Sequence, residues 1–406
     1  MIELLSFGSI LIACAVLFII RIAIKFFIHP YLLLQTLKHV KGGFISYRFI
    51  SGLFGEYIQS EKKHGDICHT LKEKIRNNPD MKFIATPLMD NIYITLFDPE
   101  MIKEFMNKQI VFLEKDRRVF GTVTEVAKSG IVFAEGERWK RIRKLTSQVF
   151  HFDYMNNSLP LIHKTAKEWI QAHCKDPVST VNVSFQLKTY TATVICRIFF
   201  GEESLADKEN SIQMIQNTLD LARNTINQAR SGWNALFGPK FFKLGLRKVD
   251  REHAKNAAWV LNAFKSKLQY FKKIVAEKQK EKTEANGKFK NLIELLLEQS
   301  IDNTDKNGLS DSEILGIIFN FFSAGTDSTS ELLAMSHYQL AYHPDIQEKL
   351  REEIKAHIGN EEEITYAQIS KMEYLNAFVK EALRYRGPTI GVFNRVAMKD
   401  ETLGDL

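Results

Sequence analysis

The fold of this chain is constrained most by one long helical segment, 310-SDSEILGIIFNFFSAGTDSTSELLAMSHYQLAY-342. The segment begins with a capping box, in which Ser310 and Glu313 satisfy the first backbone N–H groups of a helix. Apolar side chains then point to every side of the helix, which predicts that it is buried: Ile314, Leu315, Ile317, Ile318, Phe321 and Phe322. If the helix continues to Tyr342, it is roughly 46 Å long and crosses a whole domain.

A cluster of small polar residues, Ala324 to Thr329, interrupts this apolar segment and allows two interpretations. Gly325 could end one helix, and a second capping box at residues 328–331 could begin another. Alternatively, one helix continues and opens locally. Gly325 then lets a flat ligand approach the backbone, and the hydroxyl of Ser328 or Thr329 bonds back to a carbonyl. That arrangement would form a polar notch in which Asp327 and Ser328 relay protons.

The N-terminus predicts a membrane anchor over residues 2–28. Leu4 to Ile20 is almost wholly apolar and is about long enough to span a bilayer. Arg21 and Lys25 follow the apolar run, so the positive-inside rule places the rest of the chain in the cytoplasm. A charged start and a small-residue cleavage site are lacking, which favours a retained single-pass anchor over a signal peptide. We expect residues 29–60 to lie along the membrane surface, or else to form an ordinary linker.

Composition excludes some classes of protein and leaves others open. The net charge of +7 favours acidic partners or a membrane surface. The sequence contains no zinc finger, RNA-binding signature or arginine-rich tract, so we expect no nucleic-acid partner. The cysteines form no CxxC pair and show no metal-ligand spacing, and their small number suggests a reduced compartment: Cys14, Cys68, Cys174 and Cys196.

The remaining patterns predict a mostly α fold with a small β-sheet region contributed from both ends of the chain. A β-hairpin is predicted over 82–98 and strands over 388–406. The segment 278–290 reads as a charged, solvated loop. Helices are predicted over the remaining periodic segments, 99–108, 137–150, 186–201, most of 206–280, 344–358 and 364–385.

The polar cluster resembles a known motif. Residues 324-AGTDST-329 are similar to the oxygen-activation motif, A/G-G-x-D/E-T/S-T/S, of the cytochrome P-450 heme-thiolate monooxygenases. Trp139 and Arg143 resemble the W-x-x-x-R helix of that family, and Glu381 and Arg384 resemble its E-x-x-R helix. The segments 98-DPEMIKEFM-106 and 199-FFG-201 fit as well. The resemblance extends from about residue 30 to 406, and the motifs are specific in combination.

This resemblance implies a cytochrome P-450 fold over residues 61–406, with a long central helix at about 311–342, behind an N-terminal transmembrane helix. It implies a b-type heme, with Trp139 and Arg143 on a propionate and Ala324 and Gly325 beside the ring. Protons would come from Asp327, Ser328 and Thr329. Glu381 and Arg384 would form an ion pair that supports the fold beneath the heme.

The resemblance also implies an apolar substrate and a reductase that passes on electrons from NADPH. The basic helix could dock that reductase through Arg138, Lys140, Arg141 and Lys144, or these residues could simply be solvated. The endoplasmic reticulum membrane is the expected location, with the catalytic domain in the cytoplasm. The expected substrate pocket is lined by Val119, Phe120, Ile131, Phe133, Ile318, Phe322, Ile390, Val392 and Phe393.

The sequence departs from the family pattern in one important respect. The iron-binding cysteine of the family lies in an F-x-x-G-x-x-x-C-x-G loop after the E-x-x-R helix, and this chain contains no such loop. None of its cysteines is therefore assigned as a metal ligand. Ser328 also stands where the family usually has threonine, so its hydroxyl lacks the methyl group that restrains the rotamer.

Two hypotheses account for this departure. The first is a C-terminally truncated monooxygenase, either a partial sequence or a natural short form, which folds poorly and is inactive on its own. The alternative is a catalytically dead, membrane-anchored helical binding protein that retained the scaffold without the iron ligand.

Overall fold

A computed structural model describes residues 7–49, 52–88, 91–115, 125–150, 152–174, 180–202, 208–229, 231–280, 290–302, 308–359, 364–389, 391, 394–397 and 402–404. The chain is mostly helical with small sheets, as predicted. It divides into two compact units. The first comprises residues 1–117, 230–238 and 394–406, and the second comprises 118–229 and 239–393.

Each segment predicted to be helical contains a helix, and further helices lie in segments for which none was predicted, namely 52–64, 69–77, 125–129, 152–173 and 292–302. The helices of the described residues have the following bounds. They are α1 Phe7–Ala23, α2 His29–Thr36, α3 Gly52–His64, α4 His69–Asn77, α5 Pro99–Phe112, α6 Glu125–Ser129, α7 Gly136–Thr146, α8 Phe152–His173, α9 Val183–Phe200, α10 Lys208–Ala229, α11 Gly232–Phe237, α12 Lys240–Lys243, α13 Lys248–Lys280, α14 Leu292–Asp302, α15 Asp311–Tyr342, α16 Pro344–His357, α17 Tyr366–Lys371 and α18 Glu373–Arg386. A π-helical turn, Ile24–Ile28, joins α1 to α2.

The first unit contains two small sheets. Strands β1 Gly43–Ile45, β2 Phe83–Leu88 and β3 Asn91–Leu96 form one sheet in that order, with β1 parallel and β3 antiparallel to β2. The second sheet pairs β4 Leu113–Lys115 with β5 Arg395–Ala397. The predicted hairpin and the predicted contribution from both chain ends are therefore confirmed. Of the predicted C-terminal strands, the described residues contain only β5.

The N-terminal apolar segment forms a helix that runs past residue 28, through the π-helical turn, to Thr36. The helix Ser9–Thr36 has the length and hydropathy needed to cross a membrane. Its apolar side chains are largely exposed, including Ile12, Leu17 and Ile19. An exposed apolar surface of this size is unfavourable in water, which fits the predicted anchor.

In the second unit, the core surrounds α15. The helix is a single α-helix of 32 residues, so the interpretation as two helices is wrong. The predicted capping box is present, with both reciprocal bonds between Ser310 and Glu313. Its N-terminal half is almost completely buried, as its all-round apolar pattern predicts.

A close contact fixes the segment after α6 against α15. A Cβ on Gly130 would lie 2.2 Å from Asn320 Oδ1 and 2.3 Å from the Gly316 carbonyl oxygen. The buried Asn320 amide accepts a hydrogen bond from the Val132 N–H at 2.9 Å and donates to the Ala127 carbonyl at 3.2 Å. Gly130 is needed here because no side chain fits between the two backbones.

We predict that Gly130→Ala will destabilise the protein by about 1–3 kcal/mol, the usual effect of overpacking a core. The urea unfolding midpoint measures this change. Gly391→Ala is the matched control, because nothing lies within 4 Å of a Cβ at that position. Equal midpoints for the two variants would contradict the assigned role of Gly130.

Candidate functional site

The polar cluster of α15 presents one exposed face. Ala324 and Asp327 are exposed and Ser328 is half-buried, at the i, i+3, i+4 spacing of a single helix face. The Ser328 hydroxyl donates to the Ala324 carbonyl at 2.7 Å, as one interpretation of the sequence predicted. The helix nevertheless remains α-helical throughout, so the predicted local opening is not observed.

The opposite side of the cluster packs against α9. Lys188, Thr191 and Ile195 lie on one stripe of α9, at i, i+3 and i+7. The Thr191 hydroxyl donates to the Thr326 carbonyl at 3.1 Å. A Cβ on Gly325 would lie 3.0 Å from Ile195 Cδ1. The missing side chain at Gly325 therefore makes room for α9, a packing role that the sequence analysis did not anticipate.

The same stripe of α9 supplies a partner for Asp327. Lys188 Nζ lies 3.3 Å from Asp327 Oδ1, with the two side chains 29% and 51% exposed. The sequence analysis missed Lys188, because a lysine so far away in the chain carries no signal that it meets this carboxylate. The ion pair gives Asp327 a nearby basic group at the boundary between the core and solvent.

Helix α7 offers two hydrogen-bond donors on one face. Trp139 is half-buried against the core cluster and Arg143 is exposed, four residues apart. Within the described residues, the Trp139 indole N–H and the Arg143 guanidinium donate to no acceptor. Two uncommitted donors at this spacing suit an anionic group such as a carboxylate.

Two further arginines of α7 hold the first turn of α15. Arg138 Nε and Arg141 Nη2 lie 3.3 Å and 2.5 Å from the same oxygen, Glu313 Oε1. Arg141 also donates to the Gly308 carbonyl at 2.7 Å. We call Arg138, Arg141 and Glu313 the α7–α15 clamp. It positions the helix that carries Trp139 and Arg143 against the start of α15.

The clamp sets the ionisation of Glu313. Burial alone would raise the pKa of this carboxyl, but hydrogen bonds from Ser310, Arg141 and Arg138 outweigh it. The pKa of Glu313 therefore lies below its usual value, and the carboxylate stays charged at neutral pH.

Glu381 and Arg384 form the predicted ion pair on α18, through two bonds of 2.7 and 2.6 Å. Both side chains are exposed, at 59% and 71%. Hydrogen bonds from Arg384 lower the pKa of the Glu381 carboxyl. Within the part of the chain that the structure describes, no third group joins this pair.

The structure describes four of the nine residues predicted to line the substrate pocket. Ile131, Ile318 and Phe322 are buried in the core cluster of the second unit, and Phe133 packs against it. Because Ile318 and Phe322 are completely buried, their place on a substrate wall stays a prediction. The other five predicted residues lie outside the described residues: Val119, Phe120, Ile390, Val392 and Phe393.

The cysteines differ in their burial. Cys196 is completely buried on α9, and burial raises the pKa of its thiol to about 12. Cys14 and Cys174 are exposed. Among the residues searched, no group of three or more His, Cys, Asp or Glu side chains could hold a metal ion.

Comparison with known proteins decides the family. The profile of the cytochrome P-450 family matches residues 52–406 of this chain. The chain belongs to the cytochrome P-450 family. The predicted family is thereby confirmed.

Curated relatives of this cytochrome P-450 come from animals and plants. A putative cytochrome P-450 of Caenorhabditis elegans, CYP13A5, is 28% identical over 75% of this chain and 62% of its own length. Cytochrome P-450 3A9 of Rattus norvegicus is 29% identical over 76% of this chain and 59% of its own length. The chain thus spans about three fifths of the length of these curated relatives.

A solved structure of the family has the same fold as this chain. The crystal structure of a cytochrome P-450DA heme domain superposes with a TM-score of 0.67, over 84% of this chain and 69% of the other. Only 17% of the residues are identical, so this likeness supports the fold alone.

We predict that Glu313→Gln will destabilise the second unit by about 2 kcal/mol, because its hydrogen bonds to charged donors weaken. The folded-state pKa of Glu313 is depressed, so its contribution is complete above the unfolded pKa of about 4.3 and is lost as the pH falls through the folded pKa. The difference from the wild type should therefore be constant above about pH 5 and shrink in more acidic solution.

Urea unfolding at several pH values measures this difference. Asp311→Asn is the control, since Asp311 lies in the same helical turn but is 61% exposed and, within the described residues, forms its ion pair with Lys272. A difference for Glu313→Gln that does not change with pH would contradict the assigned role of the charge.

Proposed function

We propose that this protein, in its full-length form, is a heme-dependent monooxygenase that inserts one oxygen atom from O₂ into a small apolar substrate. The observation that carries the proposal is the pair of uncommitted donors on α7, Trp139 and Arg143, held by the α7–α15 clamp. The family relationship supports the same reaction class.

The donor set of this chain fits a heme. Trp139 and Arg143 would hold a propionate, and the small side chain of Ala324 leaves the exposed face of α15 accessible to a flat ring. Bound heme supplies the redox chemistry that activates O₂. Cys196, a buried neutral thiol, is not proposed as the iron ligand.

Residues of α15 and α9 would control protons on the Ala324 face. The Ser328 hydroxyl donates to the Ala324 carbonyl, and rotation about χ1 turns its hydrogen toward a reactant on that face. Asp327 and Thr329 would exchange protons with solvent, because both side chains are exposed. Lys188 would hold the Asp327 side chain in position.

The proposal also includes a membrane anchor and a partner that supplies electrons. The helix Ser9–Thr36 would anchor the protein as a single pass in the endoplasmic reticulum membrane, with the catalytic domain in the cytoplasm. A reductase partner would deliver electrons from NADPH. The clamp uses Arg138 and Arg141, so the basic surface left for docking consists of Lys140 and Lys144, both exposed.

The reduced, carbon-monoxide-bound absorption spectrum of the longest form that the gene encodes tests the proposed function. A thiolate-type Soret band supports it. A longer form that folds but shows no heme absorbance would favour the scaffold without iron.

We predict that Arg143→Gln will weaken heme binding by about tenfold to a hundredfold, because one hydrogen bond to a charged group contributes roughly 1.5–3 kcal/mol. Spectral titration of the apoprotein measures the affinity. Lys140→Gln, on the same helix but paired with Glu137, is the control. Unchanged affinity in Arg143→Gln would remove Arg143 from the propionate site.

We predict that Ser328→Ala will lower the yield of product per O₂ consumed by about tenfold or more, through loss of a positioned proton donor. Hydrogen peroxide should rise in proportion. Ser328→Thr should keep the wild-type yield, and Glu331→Gln, an exposed carboxylate one turn further along α15, serves as the control. An unchanged yield in Ser328→Ala would exclude a proton-relay role.

We predict that reversing two charges, Lys140→Glu with Lys144→Glu, will slow electron transfer from the reductase and flatten its dependence on salt. Stopped-flow reduction measures the rate. Lys265→Glu with Lys273→Glu changes the same number of exposed charges on α13 and should leave the rate unchanged. Equal rates for the two double variants would rule out docking at α7.

A further inference from the structure

The first unit contains a groove that none of the functions above uses. The helix that begins with α1 and the start of β3 line an open groove of about 550 Å³. Its apolar wall is formed by Leu17, Ile20 and Ile24. Its polar wall is formed by Arg21, Lys25, His29 and Asn91. One groove thus combines an apolar strip with a row of basic side chains.

The π-helical turn explains how the basic side chains come to line one groove. Eight residues separate Arg21 from His29, which in a regular α-helix is about 2.2 turns and would point the two side chains in different directions. The i→i+5 bonding of residues 24–28 takes up one extra residue, so the separation becomes roughly 1.9 turns. Arg21 and His29 are thereby brought nearly into line.

The groove has the charge of an anion site. Among the described residues that line it, none carries a carboxylate. Arg21 is exposed, and within the described residues no acceptor or carboxylate pairs with its guanidinium. A guanidinium is always charged and presents a fork of donors that matches phosphate.

The order of apolar and basic residues along the helix indicates which kind of anion the groove suits. Leu17 lies about 6 Å before Arg21 along the helix axis, on the side of the apolar run, and Lys25 lies about 6 Å beyond it. An anionic phospholipid has the same order, with an acyl chain next to a phosphate. A free phosphate would leave the apolar wall without a partner.

We propose that this groove binds one anionic phospholipid of the cytoplasmic leaflet. The lipid phosphate contacts Arg21 and Lys25, its polar headgroup reaches His29 and Asn91, and one acyl chain lies along Leu17, Ile20 and Ile24. The proposal rests on the membrane anchor put forward above. Its consequence is that the β3 end of the first unit and the anchor are held together by a lipid.

The test uses the full 406-residue chain, reconstituted in phosphatidylcholine vesicles with about one fifth phosphatidylserine. Extraction at alkaline pH first measures whether the chain is integral to the bilayer. Spin-labelled phosphatidylserine and phosphatidylcholine then give the relative association constant of the two lipids at the protein. We expect phosphatidylserine to be preferred, with no competition from millimolar inorganic phosphate.

Arg21→Gln with Lys25→Gln should lower that preference by about 30-fold, since each basic residue near the surface contributes about 1 kcal/mol. Arg21→Lys with Lys25→Arg should retain most of it. Lys38→Gln with Lys41→Gln is the matched control, because both lysines are exposed, follow the same apolar segment and do not line the groove.

The outcomes separate the two proposals. A chain that alkaline pH releases from the vesicles refutes the anchor, and the lipid site with it. A chain that stays in the bilayer but shows no lipid preference, or loses it equally in both double variants, refutes the lipid site alone. Competition by inorganic phosphate would show a general anion site and would also overturn the proposal.

Discussion

The burial of one carboxylate at the start of the central helix determines how the second unit is assembled. Glu313 closes the capping box of α15 and at the same time binds Arg138 and Arg141 of α7. A buried carboxylate with two cations and a backbone donor is fully satisfied, whereas one left alone would be costly. The α7 donors Trp139 and Arg143 are therefore positioned by a contact that serves folding first.

The polar cluster of α15 also has two faces with different tasks. On one face, Gly325 and the Thr326 carbonyl let α9 approach closely, through Ile195 and Thr191. On the other face, Ala324, Asp327 and Ser328 remain accessible. Gly325, in the middle of a buried helix, thus has a packing role in addition to any role in binding a ligand. Variants at Gly325 would disturb both faces and are poor probes of chemistry.

Most of the fold could be predicted because its signals are local. The capping box gave the correct start of α15, and the alternating strands gave the hairpin. The choice between one helix and two could not be made locally. A glycine within a helix costs about 1 kcal/mol, yet the helix continues through Gly325, where Ile195 of α9 packs closely. Asn320 offered a signal that was not used, since an amide in an apolar helix needs buried partners.

The sequence alone predicts the family and many of the helices, because motifs at fixed helical spacing report one face of one helix. The partners of the motif residues follow from the tertiary structure. It joins Lys188 to Asp327 and joins Arg138 and Arg141 to Glu313. It also places Arg21 and Lys25 beside the apolar wall of the groove near β3. The reason is physical: these contacts join residues far apart in the chain, or depend on the phase of a π-helical turn, and neither leaves a periodic pattern in the sequence.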